Sequence, residues 1–424
     1  MEREKDNYRV SRVLYIIEAA LEYFISMLVA GAYLAKVSAE IGISDGLIGI
    51  LTSFVSLGCG FQLVAIFLAN KTPVKHWVTI LHIVNQVLFA LIYVVPFFKI
   101  SNELKIILFT CFLLLGHVIN NIVNSPKINW FMSLVDDKKR GGFTATKEMV
   151  SLIGGIIFSF VIGAVIDRYD AAGNTYGAFI FCGIGIFILM VGHSLTLIFS
   201  REKPAKEDEK IETKRLIGEL IKDRGLLKVI LVSVLWSIAH YATTPFYGTY
   251  QIKELGFSMT FVSILSIAYA VFRSAFSKPL GEFADKHSFV SMLNICFIIE
   301  FIAFAVNIFT IPSNGKIMYS IYYILYAIGM AGINSGEINL IYDYVDKPKR
   351  IGALALKSTI SGFAGFFTTL LVSLLVEHIQ KNDNIFLGIS VYAQQIVSLI
   401  GCIVVVILLL YINLVLKKKK SLEQ

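Results

Sequence analysis

The chain has 424 residues, of which 56% are hydrophobic and only 16% charged, with a formal net charge of +8 and a mean hydropathy of +0.72. That composition is too apolar for a water-soluble domain, so most of the chain must live in lipid. The positive excess does not argue for nucleic acid, because the basic residues sit in short clusters between apolar runs, where control of membrane topology accounts for them.

Apolar runs of about twenty residues recur along the chain, each enough to cross a hydrocarbon core of about 30 Å as a helix. Lipid leaves exposed backbone groups unsatisfied and no alternating barrel pattern is visible, so helices are expected. The predicted spans are 12–36, 45–69, 77–98, 104–134, 141–168, 177–200, 226–252, 258–280, 288–311, 316–345, 350–379 and 388–416. With the N-terminus inside, and residues at the span ends counted with the side they face, 27 of the 38 Lys and Arg residues fall on the inner side, 7 outside and 4 in the membrane. Both termini are therefore expected to be cytoplasmic, and Lys417 to Lys420 form a tail that favours anionic headgroups. No cleavable signal peptide is expected, since the first eleven residues are polar and the first run leads directly into a second span. Cys59, Cys111, Cys182, Cys296 and Cys402 stand singly in apolar stretches and read as small hydrophobes, without metal-ligand spacing.

Ionisable residues inside a membrane are costly, which makes them candidates for a solute pathway. In the first span Glu18 and Glu22 lie one turn apart and continue through Ser26 toward Tyr33 as a polar stripe; Glu18, near the cytoplasmic end, has pairing with a base as its plainer role. The fourth span carries His117, Asn120, Asn121, Asn124 and Lys127 at steps of three and four, with Pro126 to kink it. These asparagines suit a solute site, or helix-to-helix hydrogen bonding. In the fifth span Gly155, Ser159 and Gly163 permit close helix approach, while Lys147 and Glu148 lie near its cytoplasmic end. The segment Arg201 to Lys228 is rich in Lys, Glu and Asp and divides the spans six and six. It reads as a cytoplasmic linker, partly helical along the membrane surface. The seventh span offers Trp236, His240, Thr243, Thr244, Tyr247 and Gln251, with Pro245 to break it. Aromatic faces with hydroxyl and amide groups suit a hydroxylated solute; a core hydrogen-bonding role serves His240 equally. Arg273 and Glu300 are expected at similar mid-membrane depth, either as a structural pair or with Arg273 holding an anionic group of the solute.

Residues 124–147 align without gaps to 334–357, with 11 identities in 24 positions at an offset of 210. An offset of half the chain makes the second six helices a duplicate of the first six in the same orientation. The repeat sets Asn334 and Glu337 opposite Asn124 and Lys127. A lysine and a glutamate at equivalent places invite pairing across a central cavity, or separate pairs within each half. Asn121, Asn124, Lys127, Asn334 and Glu337 are expected to face one cavity between the halves.

Six plus six helices, a charged middle segment and parallel halves make the whole chain resemble the major facilitator superfamily. Gly281-Glu-Phe-Ala-Asp285-Lys286 is similar to the second copy of that family's G-x-x-x-D-[RK] loop, although Ser288 stands where a glycine is usual. In the first half the matching stretch, Ile66-Phe-Leu-Ala-Asn70-Lys71, lacks both the glycine and the acid. Loops ending in Arg140-Gly141 and Arg350-Ile351-Gly352 resemble the family's cytoplasmic Arg-Gly loops. The resemblance implies an all-α membrane fold of twelve helices in two six-helix bundles, 1–200 and 226–424, joined by the linker 201–225. The bundles would rock about a midplane site to give alternating access. Gating would fall to Gly281, Asp285, Arg140 and Arg350, with Gly281 allowing close packing and Asp285 capping the next helix or pairing with Arg350.

The function expected is secondary active uptake of a small polar organic solute, sugar-like or sugar-acid-like, with a proton or sodium ion as coupling ion. Glu22, Asn121, Asn124, Lys127, Trp236, His240, Tyr247, Arg273, Asn334 and Glu337 are the candidate solute contacts. Five acids (Glu18, Glu22, Glu148, Glu300, Glu337) face four bases (Lys127, Lys147, Arg273, Lys357), so one carboxylate is left without a partner. Burial disfavours a lone charge, which makes Glu22 the expected proton carrier, with Glu18 beside it and Lys127 as intermittent partner. Export of drugs or other amphipathic compounds is the alternative, weakened by the absence of a Gly-Pro pattern in the fifth span. A non-transporting receptor or lipid-handling protein is a third class. No nucleophile constellation, phosphate loop or metal cluster marks an enzyme, a cofactor or a resident metal. A monomer in the cell membrane, bound only to lipid, solute and coupling ion, is expected.

Overall fold

In lipid every backbone N–H and C=O must find its partner within the segment, so apolar runs of this length become helices. A computed structural model of the chain shows this outcome, and it describes residues 8–69, 73–136, 140–203, 213–346 and 349–416. Among them eleven helices are long and apolar enough to cross a membrane, and the bent pair α1 (Arg9–Leu28) and α2 (Gly31–Glu40), meeting at 45°, makes a twelfth span. The bend is local in origin: Gly31 adopts a positive φ of 53°, open to glycine without steric cost. The second span is segmented into α3 (Asp45–Thr52), α4 (Phe54–Gly60) and α5 (Gln62–Ala69). Then follow α6 (Lys75–Ile92), α7 (Asn102–Ser133), α8 (Arg140–Ala171) and α9 (Thr175–Phe199). The second half consists of α10 (Thr213–Lys222), α11 (Arg224–Thr249), α12 (Met259–Lys286), α13 (Phe289–Ile308), α14 (Gly315–Tyr342), α15 (Arg350–Lys381) and α16 (Ala393–Tyr411). Helices that cover their lipid-facing sides with Leu and Phe, such as Leu371 at 71% and Phe199 at 68% exposed, need a non-aqueous surround.

Two compact units form, one of 1–43, 61–212 and 258–263, the other of 44–60, 213–257 and 264–424. They differ from the sequence halves in two short segments. Within the first unit α1 packs on α8 and α9, and α6 on α7 and α9; Tyr15 stacks on Phe131 with ring centroids 4.3 Å apart. Asp167 of α8 accepts hydrogen bonds from the Met259 and Thr260 N–H groups at 2.8 and 2.7 Å, satisfying orphan donors at the start of α12. Within the second unit α11 packs on α15 and α16, and α13 on α14 and α16. There Ser44 caps α3 and donates to Glu377 of α15 at 2.7 Å, and Asp45 accepts from Gln380 at 2.8 Å and from Lys253.

The internal repeat is visible in the helix bounds. Helix α8 runs from Arg140 to Ala171 and α15 from Arg350 to Lys381, 210 residues on at both ends. The linker contributes one described helix, α10, whose Leu220 is buried while Glu219 is exposed and accepts from Lys349 at 3.0 Å. That ammonium holds the Glu219 carboxyl below its usual range. An unforeseen two-stranded hairpin, β1 (Ile385–Phe386) and β2 (Ile389–Ser390), joins α15 to α16.

The loop motif between α12 and α13 departs from expectation. A Cβ at Gly281 would meet nothing within 4 Å, so no close packing demands the glycine. Asp285 is exposed, and Ser288 rather than Asp285 caps α13, accepting from Ser291 N–H at 3.1 Å. Arg350 does not pair with Asp285. Its guanidinium donates to the Tyr342 and Val345 carbonyls and lies 4.6 Å from the Tyr342 ring, because the end of α14 offers it orphan carbonyls nearer than the acid. The first-half counterpart at Asn70 and Lys71, and the side chain of Arg140, lie outside the described residues.

Candidate functional site

Helix α1 sets Glu18 and Glu22 on one face by their four-residue spacing, and α7 brings Lys127 against both. The ammonium of Lys127 donates to Glu18 Oε1 at 2.7 Å and to Glu22 Oε2. From α9, His193 Nε2 meets the same Glu18 oxygen at 2.8 Å. Glu18 and His193 are 0% exposed and Lys127 1%. Pro126, immediately before Lys127, lies inside α7, where a missing N–H loosens the helix next to the charge. His82 of α6 completes the group: its ring centroid is 5.1 Å from that of His193, and both its nitrogens lack a hydrogen-bond partner, as does His193 Nδ1.

Charge counting gives this cluster its chemistry. Two carboxylates face one ammonium, so one negative charge stays uncompensated unless a proton sits on His193 or on a carboxyl group. Donor atoms of Glu18, Glu22 and His193 lie within 4.8 Å of one another, close enough for a single cation, and the Lys127 ammonium already bonds to both carboxylates. Glu22 is therefore not the lone carboxylate that the count of acids and bases suggested; Lys127 reaches it. Nothing in the spacing of α9 or α6 singled out His193 and His82. The signal was an imidazole standing alone in an apolar run, in each case within one turn of small or polar neighbours.

In the second unit the equivalent charges solve their burial differently. Glu337 of α14 pairs with Lys357 of α15 at 2.6 Å. Lys127 and Glu337 thus each find partners within their own unit. Lys147, the repeat mate of Lys357, instead stands 5.3 Å over the Tyr15 ring.

The remaining candidates divide into packed and open positions. Trp236 is buried against His240, Phe297 and Phe304. His240 is partly buried; its Nδ1 meets the Tyr326 hydroxyl at 3.1 Å and its Nε2 the Thr244 hydroxyl at 3.2 Å. Tyr247 is 3% exposed and bonds Ser398 of α16 at 2.7 Å, so it ties helices together within the core and presents no free hydroxyl. Asn121 donates to the His117 carbonyl of its own helix at 3.0 Å; Asn124 is partly buried and Asn334 exposed. Arg273 lies 5.8 Å from the Tyr269 ring and forms no pair with Glu300. A long guanidinium side chain on α12 is served by the ring four residues earlier on its own helix, which leaves Glu300 alone on α13.

A family model described as "Major Facilitator Superfamily" matches residues 16–272 and 242–424. No curated protein matches in sequence. Among solved structures, the nucleoside transporter NupG superposes with a TM-score of 0.71 at 15% identity, over 95% of this chain and 98% of that one. A D-xylose–proton symporter gives a TM-score of 0.70 at 14% identity, over 95% and 97%. A bacterial homologue of the iron transporter ferroportin gives 0.57 at 13% identity, over 94% and 98%. At these identities the likeness is one of fold.

Proposed function

The chain belongs to the Major Facilitator Superfamily, and on that premise we propose that it is a secondary active transporter taking up a small polar organic solute, sugar-like or sugar-acid-like, in proton-coupled symport by alternating access. The observation that carries the reading is the buried Glu18, Glu22, Lys127 and His193 cluster, one positive charge short of neutral. A proton supplied from one side of the membrane and released to the other fills that deficit. Its arrival on Glu22 loosens the bond to Lys127 and frees the ammonium to change partners. Glu22, the more exposed of the two acids at 22% of its side chain, is the entry point, and Glu18 the buried anchor. Half-buried amides at Asn121 and Asn124, the His240 ring and the Arg273 guanidinium supply polar contacts for a hydroxylated or acidic solute. Neighbours that carry a nucleoside and D-xylose are consistent with that class. The excess of basic residues on one side supports termini facing the cytoplasm, with the protein working as a monomer in the cell membrane.

The test has two steps. Purified protein is screened by thermal shift against sugars, sugar acids, nucleosides and lipophilic cations, since a ligand of the native state raises the melting temperature. Hits are then assayed in proteoliposomes with and without a pH gradient, for the wild type and Glu22→Gln. Gradient-driven accumulation that is lost in Glu22→Gln is expected. Stabilisation by lipophilic cations alone would favour export, and a wild type indifferent to the gradient removes proton coupling.

A further inference from the structure

In the first unit the buried Glu18 bonds Lys127 and His193, whereas the second unit holds a buried carboxylate with no bonded partner. Glu300 of α13 is 0% exposed and neither carboxyl oxygen has a hydrogen-bond partner. A Cβ at Gly329 of α14 would lie 2.3 Å from its Oε1, so the facing helix leaves room for the carboxyl only because residue 329 has no side chain. We infer that Glu300 is a second proton-binding site, which exchanges its proton through the Tyr326 hydroxyl with His240. The inference extends the transport reading and rests on it only for the use to which the proton is put.

The surroundings decide the charge state. On its own helix the ionisable neighbour is Cys296, one turn away. From α14, Tyr322 and Tyr326 lie within electrostatic reach, on the same face as Gly329 by their spacing of seven and three residues. From α16, the ionisable residue packed on α13 is Cys402, its Sγ 3.6 Å from the Phe301 carbonyl. Helix α11 contributes Trp236, packed on Phe297 and Phe304, and His240 behind Tyr326. Among the described residues no lysine or arginine pairs with Glu300. An ionised carboxylate with no counter-ion and no protein donor is costly in such a setting, which favours the neutral acid.

A path for that proton is set by the hydrogen bonds of His240. The Thr244 hydroxyl donates to the His240 carbonyl at 2.9 Å, so it must accept from the ring at Nε2. That fixes the proton on Nε2 and leaves Nδ1 to accept from the Tyr326 hydroxyl. Transfer then balances: the Glu300 O–H bond breaks as its proton goes to the Tyr326 oxygen, the tyrosine proton passes to His240 Nδ1, and a carboxylate and an imidazolium result. The relay requires the Glu300 carboxyl to turn toward Tyr326, since the two groups are not bonded in the structure.

Infrared spectroscopy of the purified protein in lipid, without any solute, tests this. Wild type at neutral pH is expected to show a protonated-carboxyl carbonyl band that is absent in Glu300→Gln and displaced in Glu300→Asp, which keeps an acid in the site. On transfer to deuterated buffer the band is expected to shift, at least ten-fold more slowly in Tyr326→Phe. Absence of a Glu300-dependent band, a band that never exchanges, or equal exchange in Tyr326→Phe overturns the inference. Because no solute enters the measurement, its failure leaves the transport reading untouched, and a failed transport assay leaves the band to be judged by itself.

Discussion

Replacing Lys127 by methionine probes the charge balance of the first unit most directly. Methionine keeps an unbranched apolar stem in the 1%-exposed position and lacks the ammonium. The loss strips Glu18 Oε1 of its 2.7 Å donor and Glu22 of its partner. Breaking a buried ion pair from one side costs about 3–5 kcal/mol. With donor atoms within 4.8 Å, the two carboxylates would also repel each other by about 3 kcal/mol at an effective dielectric of about 20. Neutralising one acid should recover much of this. In the double variant Lys127→Met with Glu18→Gln, the charge left behind is Glu22, whose side chain is 22% exposed and so better hydrated. Thermal unfolding of the four proteins in one detergent forms a double-substitution cycle. The double variant is expected to be more stable than Lys127→Met alone, with a coupling of about 2 kcal/mol. Additive losses, or a Lys127→Met protein that melts with the wild type, would refute the claim that Lys127 holds both acids together.

Two further substitutions probe the second unit and then the first. Glu337→Gln leaves the Lys357 ammonium without its 2.6 Å partner, which should cost about 1.5–3 kcal/mol as a lost charged hydrogen bond; the exchange Glu337→Lys with Lys357→Glu should restore part of the melting temperature, and a swap no better than the single change would argue against the pair. Asp167→Ala removes the acceptor of the Met259 and Thr260 N–H groups and should destabilise by about 1 kcal/mol, as loss of a helix cap does, with Asp167→Asn milder; equal melting of alanine and wild type would mean that water serves those donors.

Legibility followed the physics that writes each feature. Span positions were readable because lipid demands about twenty apolar residues and tolerates little else, and α8 and α15 begin within a residue of the predicted starts at 141 and 350. The Glu18, Glu22 and Lys127 constellation was readable too, since four-residue spacing within α1 places both acids on one face. Which acid lacks a partner was not readable. A count of charges fixes how many are left over but not which, because pairing depends on rotation of one helix against another. Lys127 reaches Glu22, Arg273 turns to Tyr269, and the buried acid left without a partner is Glu300. The loop motif misled for a related reason. Its residues are present at the family spacing, but Arg350 is claimed by the carbonyls ending α14, a contact that sequence spacing does not encode.

The duplication shows what each half was free to change. Backbone geometry is dictated by lipid, so α8 and α15 keep the same length and the same offset at both ends. Side-chain charge is dictated by neutrality within each unit, and that constraint can be met in more than one way. Where the first unit places Lys127, the second places Glu337; with lysines at both 147 and 357, an internal pair is possible only in the second. The first unit must therefore find its acids on another helix, and α1 supplies Glu18 and Glu22 to Lys127 while Lys147 settles over the Tyr15 ring. Two acids for one base leave the first unit with the surplus negative charge that a proton, and His193, can answer. The second unit's Glu337 and Lys357 balance to zero, so any proton it carries has to sit elsewhere, and among its buried acids Glu300 is the one without a base.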